Sequence, residues 1–381
     1  MMEKRAFIRQ TTLGVCGLLL GLHRRAGGWG SEPGRDADEP GKHSIEARFY
    51  DRTPDGIKCR KCPHECLLAE GETGICRNRI VWRGTLYSIA YGNACAVHID
   101  PIEKKPLYHF LPGTTAFSIA AAGCNLRCLN CQNWQISQVS PRETSNIDLM
   151  PPRVVEEARA GTCRSIAYTY SEPTTFFEYA YDTAEIAHAR GIRNVWKSNG
   201  FICEAPLRKL FQVIDAANID LKSFDPAIYR KLNGADLAPV LRTLKIFHEE
   251  GVWLEITNLV IPSWTDDLSM IGKMCDWLVA NGLQDCPLHF SRFTPLYKLS
   301  QLPMTSVSTL DRARDIALRA GMRYVYVGNV PGHAAESTFC PHCGATVIHR
   351  RGYVVDAKGL KNGACASCGT TIAGRWETVV N

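Results

Sequence analysis

Three closely spaced cysteines are the residues of this sequence best suited to chemistry. Cys124, Cys128 and Cys131 form a CX3CX2C motif, compact enough for three thiolates to bind three corners of one iron–sulfur cubane. Such clusters usually take four cysteine ligands, so three would leave one iron without a protein ligand. A zinc ion can also be held by three cysteines. The motif alone therefore favours iron and zinc about equally.

A second group of cysteines precedes this motif. Cys59, Cys62, Cys66 and Cys76 supply four thiols within eighteen residues, with turn-forming residues between them. Four ligands close a metal site, which favours a structural or saturated centre over a catalytic one. We expect zinc here, with an auxiliary iron–sulfur cluster as the alternative.

A third group of cysteines lies near the C-terminus. Cys340, Cys343, Cys365 and Cys368 form two CX2CG pairs, which are typical of a zinc ribbon. Rubredoxin-like iron is the alternative. A rubredoxin-like site could carry electrons, whereas zinc would only stabilise the folded tail.

The composition supports metal centres rather than disulfides. Eleven of the seventeen cysteines fall into these three groups, and the chain has 381 residues, of which 45% are hydrophobic. Disulfide scaffolds belong mainly to small secreted domains without a sizeable core, which this chain can form. The formal net charge of +6 comes from dispersed residues, so nucleic acid binding is not predicted.

Strand-like and helix-like segments alternate from residue 116 onward and must position these cysteines. We predict strands at 117–121, 165–170, 193–196, 217–221, 253–261, 288–293 and 324–327, and helices at 175–190, 237–250, 268–281 and 309–320. This alternation predicts an α/β fold with a parallel sheet, either doubly wound or a full or partial barrel. Cys124 follows the first of these strands. Ligands bind at the carboxyl ends of the strands in both architectures.

The CX3CX2C spacing after the first strand of a β/α series resembles the radical S-adenosylmethionine (SAM) superfamily. The resemblance implies a partial parallel (β/α) barrel, with a [4Fe–4S] cluster bound by Cys124, Cys128 and Cys131. SAM would chelate the open iron, and an electron from a low-potential donor would cleave it to a 5′-deoxyadenosyl radical. That radical would abstract hydrogen from a protein or small-molecule substrate, and no catalytic side chain is assigned.

Further polar residues match this family at later strand ends. Glu172 lies where the family carries a Gly-Gly-Glu type segment, and two other segments resemble the Thr-Asn-Gly and Asp-x-Lys segments of glycyl-radical activating enzymes. His289 could face the nucleoside or be a hydrogen-bonded structural residue. The resemblance thus implies SAM-binding roles for Glu172, Ser198, Asn199, Asp220, Lys222 and His289.

Three residues depart from the activating enzymes. Asn130 replaces the usual aromatic residue before the third cysteine, and Thr257 occupies the place of a substrate-reading arginine. Lys197 stands where the activating enzymes carry an aspartate that helps to bind a cation, so its ammonium could take the place of that cation; an outward-facing lysine is the alternative. These changes preserve the radical chemistry but weaken the match to the activase reaction.

Several longer segments are similar to the radical SAM protein of the AmmeMemoRadiSam system. They are DPIEKKPLYH at 100–109, CQNW at 131–134 and GNVPGH at 328–333. The resemblance implies AmmeMemo proteins as partner candidates and leaves the substrate open. The alternative functions are a strict glycyl-radical activase and a zinc-binding scaffold without redox chemistry.

Four segments are predicted along the chain. They are a signal-like segment and linker (1–46), a cysteine-rich region (47–112), a radical SAM core (113–335) and a zinc-ribbon or rubredoxin-like tail (336–381). Lys4 and Arg5 precede an apolar stretch at 13–22, which resembles a twin-arginine export signal. We favour the cytoplasm, with membrane contact through this segment or export as alternatives.

Overall fold

Strands and helices alternate through most of residues 40–376, the part of the chain that the computed structural model describes. The strands in this part are β1 Ile45–Glu46, β2 Tyr50–Thr53, β3 Gly56–Cys59, β4 Leu67–Leu68, β5 Arg79–Trp82, β6 Thr85–Ser88, β7 Asn93–Ala94, β8 Ala96–Pro101, β9 Thr115–Ala120, β10 Ile147–Asp148, β11 Ser165–Tyr168, β12 Arg193–Ser198, β13 Ala216–Asp220, β14 Trp253–Val260, β15 Leu288–Arg292, β16 Val325–Gly328, β17 Thr338–Phe339, β18 Thr346–Arg351, β19 Val354–Asp356, β20 Leu360–Lys361 and β21 Ala364–Cys365. The α-helices are α1 Trp134–Ser137, α2 Pro151–Ala160, α3 Phe177–Ala189, α4 Glu204–Leu210, α5 Pro226–Asn233, α6 Leu237–Glu250, α7 Leu268–Ala280 and α8 Val307–Ala320.

The predicted signal-like segment and most of the linker fall in residues 1–39, outside the described residues. Within the described part, no helix combines the length and the apolar composition that a membrane crossing requires.

An eight-stranded sheet forms the centre of the fold. Its strand order is β16-β15-β14-β13-β12-β11-β9-β8, in which β9 and β11 to β16 are parallel and β8 pairs antiparallel with β9. The order ends at β8 and β16, so the sheet is a partial rather than a closed barrel. The predicted partial parallel (β/α) barrel is confirmed.

The helices begin and end at residues with clear local reasons. In α8 the Ser306 hydroxyl accepts a hydrogen bond from the Thr309 N–H and caps the first turn, and Gly321 ends the helix at a φ of +109°. Gly251 ends α6 in the same left-handed region, at +69°. The predicted helices match α3, α6, α7 and α8, whereas the shorter α1, α2, α4 and α5 were not predicted.

Polar residues fill the lumen of the barrel, and Glu255 in β14 forms its floor. The fully buried carboxylate accepts hydrogen bonds from the backbone N–H groups of Tyr108 and His109 at 2.9 and 2.7 Å. It also accepts from His289 at 2.7 Å and from the Trp253 indole at 3.1 Å. Four donors offset the cost of burying this charge. The connection between β8 and β9 is thereby held across the amino ends of the strands.

The cysteine-rich N-terminal region packs on the barrel through a buried ion pair. Glu178 in α3 has no exposed side-chain surface and contacts the Lys61 ammonium at 2.9 Å and the Arg79 guanidinium at 2.8 Å. Burial raises the pKa of Glu178, but the two cations lower it by more, to about 2. Glu178 is therefore ionised at neutral pH, and its two contacts join segments far apart in the sequence. Burial lowers the pKa of Lys61 to about 7, so the Arg79 guanidinium is the cation that stays fully charged beside Glu178 at neutral pH.

The C-terminal tail packs at the opposite, amino-terminal edge of the sheet. Arg350 is buried and donates to the Tyr108 carbonyl at 2.6 Å. The Arg375 N–H donates to the His109 carbonyl at 2.7 Å, and its guanidinium donates to the carbonyl of Gly251, just before β14, at 3.0 Å. The tail therefore covers the floor of the barrel, away from the carboxyl ends of the strands.

Gly123 tests how closely the N-terminal region approaches the barrel. Its φ is +103°, and a Cβ there would lie 2.6 Å from the Cys76 carbonyl oxygen. We predict that Gly123→Ala lowers the free energy of unfolding by about 1–2 kcal/mol for the backbone conformation and by about 1–3 kcal/mol more for the clash. Gly84→Ala is the matched control, because Gly84 has a φ of +66° but open space around its Cβ position. If the two variants lose the same unfolding free energy in denaturant titrations, the close approach of the Cys76 carbonyl to Gly123 is contradicted.

Candidate active site

The CX3CX2C motif occupies the loop after β9, at the carboxyl edge of the sheet. The loop is held by backbone hydrogen bonds rather than by regular structure. Arg127 N–H donates to the Asn233 carbonyl at 2.8 Å and Leu129 N–H donates to the Leu232 carbonyl at 2.9 Å, which ties the loop to the end of α5. Gly123 N–H donates to the Ile136 carbonyl at 2.9 Å. These contacts fix the loop from both sides.

Nitrogen donors surround the sulfurs of this motif. The Leu126 N–H donates to Cys124 Sγ at 3.3 Å, and the Asn199 amide lies 3.8 Å from the same sulfur. The Asn233 amide donates to Cys128 Sγ at 3.2 Å. Hydrogen bonds of this kind stabilise thiolates and tune the reduction potential of a bound cluster.

Glu172 lies at the centre of a buried hydrogen-bond group beside the motif. Its Oε1 accepts from the Ser198 hydroxyl at 2.8 Å and from the Thr174 N–H at 3.0 Å, and its Oε2 accepts from the Asn199 N–H at 2.8 Å. Burial raises the pKa of Glu172, and these hydrogen bonds offset only part of that rise. Burial, followed by the nearby Glu172 carboxylate, raises the pKa of the Cys124 thiol. The residues predicted after β11 and β12 therefore form one group.

A second charged group lies after β12 and β13. Lys222 Nζ contacts Asp220 at 2.9 Å, and Lys197 Nζ forms a short ion pair with the other Asp220 oxygen. Lys197 also donates to the Asn218 amide oxygen at 2.6 Å, which accepts from Thr257 at 2.8 Å. Burial raises the pKa of Asp220, but the two ammonium groups lower it by more, to about 2. Lys197 thus faces the site, and its ammonium sits against the aspartate.

Two buried acceptors near the motif have no hydrogen-bond partner among residues 40–376. They are the side-chain oxygens Asn130 Oδ1 and Asn233 Oδ1. A buried acceptor without a donor costs about 1–3 kcal/mol. This cost would be removed by a ligand that brings N–H groups, and SAM carries two amino groups. The three thiols, the unpaired acceptors and the Lys222 ammonium together fit a [4Fe–4S] cluster with SAM.

His289 lies deeper in the lumen than these groups. It is 1% exposed, donates to Glu255 and stacks on Tyr326 with ring centroids 5.0 Å apart. These contacts match the structural alternative stated for this residue. The DPIEKKPLYH segment forms the floor around it, since residues 108 and 109 bind the same Glu255 carboxylate.

The C-terminal cysteines have the geometry of a mononuclear metal site. The sulfurs of Cys340, Cys343, Cys365 and Cys368 all lie within 4.8 Å of one another. Cys340 and Cys368 are 3.6 Å apart, and Cys343 and Cys365 are 3.8 Å apart. With a Zn–S bond of about 2.3 Å, the sulfurs of a tetrahedral site are separated by roughly 3.8 Å. Rubredoxin-like iron would have similar spacing, so the identity of the metal stays a prediction.

Comparisons with known proteins agree with this geometry. Residues 118–275 match the model of the radical SAM superfamily. The uncharacterized protein MJ0808 of Methanocaldococcus jannaschii is 44% identical over 332 residues, which cover 86% of this chain and 98% of that protein. The chain belongs to the radical SAM superfamily. Members of this superfamily use a [4Fe–4S] cluster and SAM, and the fold of the chain is the radical SAM fold.

The chain is also similar, at lower identity, to two further proteins. The pyruvate formate-lyase 1-activating enzyme of Escherichia coli is 26% identical over 220 residues, which cover 54% of this chain and 89% of that enzyme. A radical SAM methyltransferase structure from Sphaerobacter thermophilus aligns with a TM-score of 0.45 and 16% identity, over 57% of this chain and 67% of that one.

Asn125, Asn218 and Asn233 contribute to the site but were not predicted from the sequence. Asn125 accepts a hydrogen bond from the Asn199 amide at 2.8 Å and donates to the Phe201 carbonyl at 2.7 Å. Asn233 ends a helix that the sequence pattern did not indicate. The only available signal was position, because Asn125 follows Cys124 directly.

Glu172→Gln tests the buried hydrogen-bond group. Both carboxylate oxygens accept hydrogen bonds, so a glutamine must point its NH2 group at a donor. We predict a loss of about 1–3 kcal/mol in unfolding free energy. Glu185→Gln, at an exposed position of α3, should change it by less than about 0.5 kcal/mol. Similar denaturation midpoints for the two variants would show that Glu172 is not held as described.

Proposed function

We propose that this protein cleaves SAM reductively at a [4Fe–4S] cluster bound by Cys124, Cys128 and Cys131. The observation that carries the proposal is the placement of these three thiols on one loop at the carboxyl edge, beside Glu172 and Lys222. A cluster with three protein ligands and bound SAM supplies a 5′-deoxyadenosyl radical for hydrogen abstraction, an oxidoreductase-like chemistry. The side chains around the loop bind and orient the cofactors.

The charged groups after β11 and β13 are suited to the two ends of an amino acid. Glu172 provides a buried carboxylate for an ammonium group. The Lys222 ammonium, with a side chain 22% exposed, provides a partner for a carboxylate. Ser198 and Asn199 hold Glu172 in place and present polar atoms at the same edge. We therefore assign the methionine and ribose parts of SAM to these residues.

The substrate is a protein or a small molecule, and the electron comes from a low-potential donor. Partner proteins of the AmmeMemo type are candidates because of the sequence segments at 100–109, 131–134 and 328–333. A glycyl-radical activase is the second candidate function, since the E. coli relative named above carries that activity in its name. Thr257, whose hydroxyl donates to the Asn218 side chain, offers no cation for reading such a substrate. Family membership favours both over a zinc scaffold.

Anaerobic reconstitution with iron and sulfide tests the proposed reaction. We expect reduced protein to convert SAM to 5′-deoxyadenosine and methionine, and Cys128→Ala to abolish this conversion because one cluster ligand is lost. Cys163→Ala removes a buried cysteine outside the site and should retain the activity. If reconstituted wild-type protein binds iron but never forms 5′-deoxyadenosine, the proposal is wrong.

Lys197→Met tests whether the lysine ammonium replaces a bound cation. The variant leaves oxygens of Asp220 and Asn218 without this partner, so a monovalent cation can bind there. In tetramethylammonium chloride we expect the SAM dissociation constant to rise at least about tenfold, in line with one charged hydrogen bond. Potassium chloride at equal ionic strength should restore binding in equilibrium dialysis.

Lys245→Met, at an exposed position of α6, is the control and should bind SAM equally in both salts. Weak binding by Lys197→Met that does not respond to potassium would contradict the cation replacement.

A further inference from the structure

The four N-terminal cysteines face one cavity in the interior of the cysteine-rich region. Cys59, Cys62, Cys66 and Cys76 line it together with Arg79, and the free space left between these side chains is about 20 Å³. Leu67, next to Cys66, is 51% exposed, so this end of the cavity lies close to the surface. Four thiols around one cavity indicate a metal centre.

The spacing of these sulfurs differs from that of the tail. The sulfurs of the four tail cysteines all lie within 4.8 Å of one another. Among residues 40–376, no three sulfurs of the N-terminal group lie that close together. A single tetrahedral ion requires separations of roughly 3.8 Å. In an iron–sulfur cluster the thiolates bind different irons, and they stand farther apart. The CX3CX2C sulfurs share this wider spacing.

Arg79 supplies an independent sign of a ligand in the cavity. Its side chain is 2% exposed, and its Nη2 donates to Glu178 at 2.8 Å. Its Nε and Nη1 are buried and have no hydrogen-bond partner within the described residues. Two buried donor nitrogens beside four thiols fit a group with additional sulfur acceptors. The bridging sulfides of an iron–sulfur cluster are such acceptors, and a lone zinc ion has none.

The cavity adjoins the CX3CX2C loop directly. Asn78 donates to the Ala122 carbonyl at 3.0 Å, and the Cys76 carbonyl lies against Gly123, the residue before Cys124. Thr174, two residues after Glu172, lines the same cavity. The tail site lies at the other edge of the sheet, where strands of four to eight residues place it roughly 13–26 Å away.

We propose that Cys59, Cys62, Cys66 and Cys76 bind an auxiliary iron–sulfur cluster, which transfers single electrons to the cluster of the CX3CX2C loop. The proposal takes the auxiliary cluster, the alternative to the zinc expected at this site, and its electron-transfer role rests on the function proposed above. A low-potential one-electron carrier protein reduces the auxiliary cluster by one electron. The auxiliary cluster returns to its oxidised state as it reduces the second cluster, so no bond is formed or broken in this step.

Metal and sulfide analysis of a variant without the CX3CX2C ligands tests the site. Cys124→Ala/Cys128→Ala/Cys131→Ala, reconstituted anaerobically, should retain iron and sulfide in equal amounts, with about one zinc per chain. Its reduced form should give an electron paramagnetic resonance signal that SAM does not change. About two zinc ions per chain and no sulfide would overturn the proposal. If this variant fails to fold, the metal content of reconstituted wild-type protein provides the test instead. No more than about four irons and about two zinc ions per chain would overturn the proposal.

A second pair of variants tests electron transfer. Cys62→Ala/Cys66→Ala should lose the additional iron and sulfide and should cleave SAM at the wild-type rate with dithionite. With reduced flavodoxin as the electron source, its rate should fall at least about tenfold. Cys343→Ala/Cys368→Ala should lose only zinc and should cleave SAM at the wild-type rate with dithionite and with reduced flavodoxin. If Cys62→Ala/Cys66→Ala cleaves SAM at the wild-type rate with reduced flavodoxin, the electron-transfer role is refuted. If wild-type protein does not cleave SAM with dithionite, the proposed function is refuted instead.

Discussion

Parallel strands joined by helical crossovers all end at one edge of a sheet, and the candidate active site depends on this constraint. The loop after β9, Glu172 after β11, and the groups at the ends of β12 and β13 are separated by up to a hundred residues but meet at that edge. The two outer cysteine groups lie at opposite edges of the sheet. The N-terminal group packs beside the site, and the tail packs under the floor of the barrel.

Three buried glutamates at different heights in the barrel are stabilised in the same way, by several hydrogen-bond donors each. Glu255 in the floor, Glu172 at the rim and Glu178 under the N-terminal region are all buried, and each accepts at least three hydrogen bonds or ion-pair contacts. Such groups stabilise one arrangement because any other would leave a charge unpaired in a medium of low dielectric constant. The protein itself therefore supplies the contacts that hold Glu172 in the site.

The sequence was sufficient for the parallel sheet and for most strand ends, because alternating strand and helix patterns are strong local signals. The resemblance named both Asp220 and Lys222, which lie two residues apart, and in the structure their side chains are in contact at 2.9 Å. It could not give the spacing of the N-terminal sulfurs or the unpaired Arg79 donors, which arise from packing between distant segments. The short helices α4 and α5 were not predicted, since seven or eight residues give a weak periodic signal.

The contacts that close the floor of the barrel join residues 242 and 264 positions apart in the chain. During synthesis the residues of the CX3CX2C loop leave the ribosome long before Arg350 and Ala373, and the floor segment has no partner until they follow. At about 5–20 residues per second this delay lasts roughly 10–50 seconds. Throughout that interval the amino-terminal side of the barrel lacks the contacts that cover it in the finished protein, so the floor is completed after the strands above it have been synthesised.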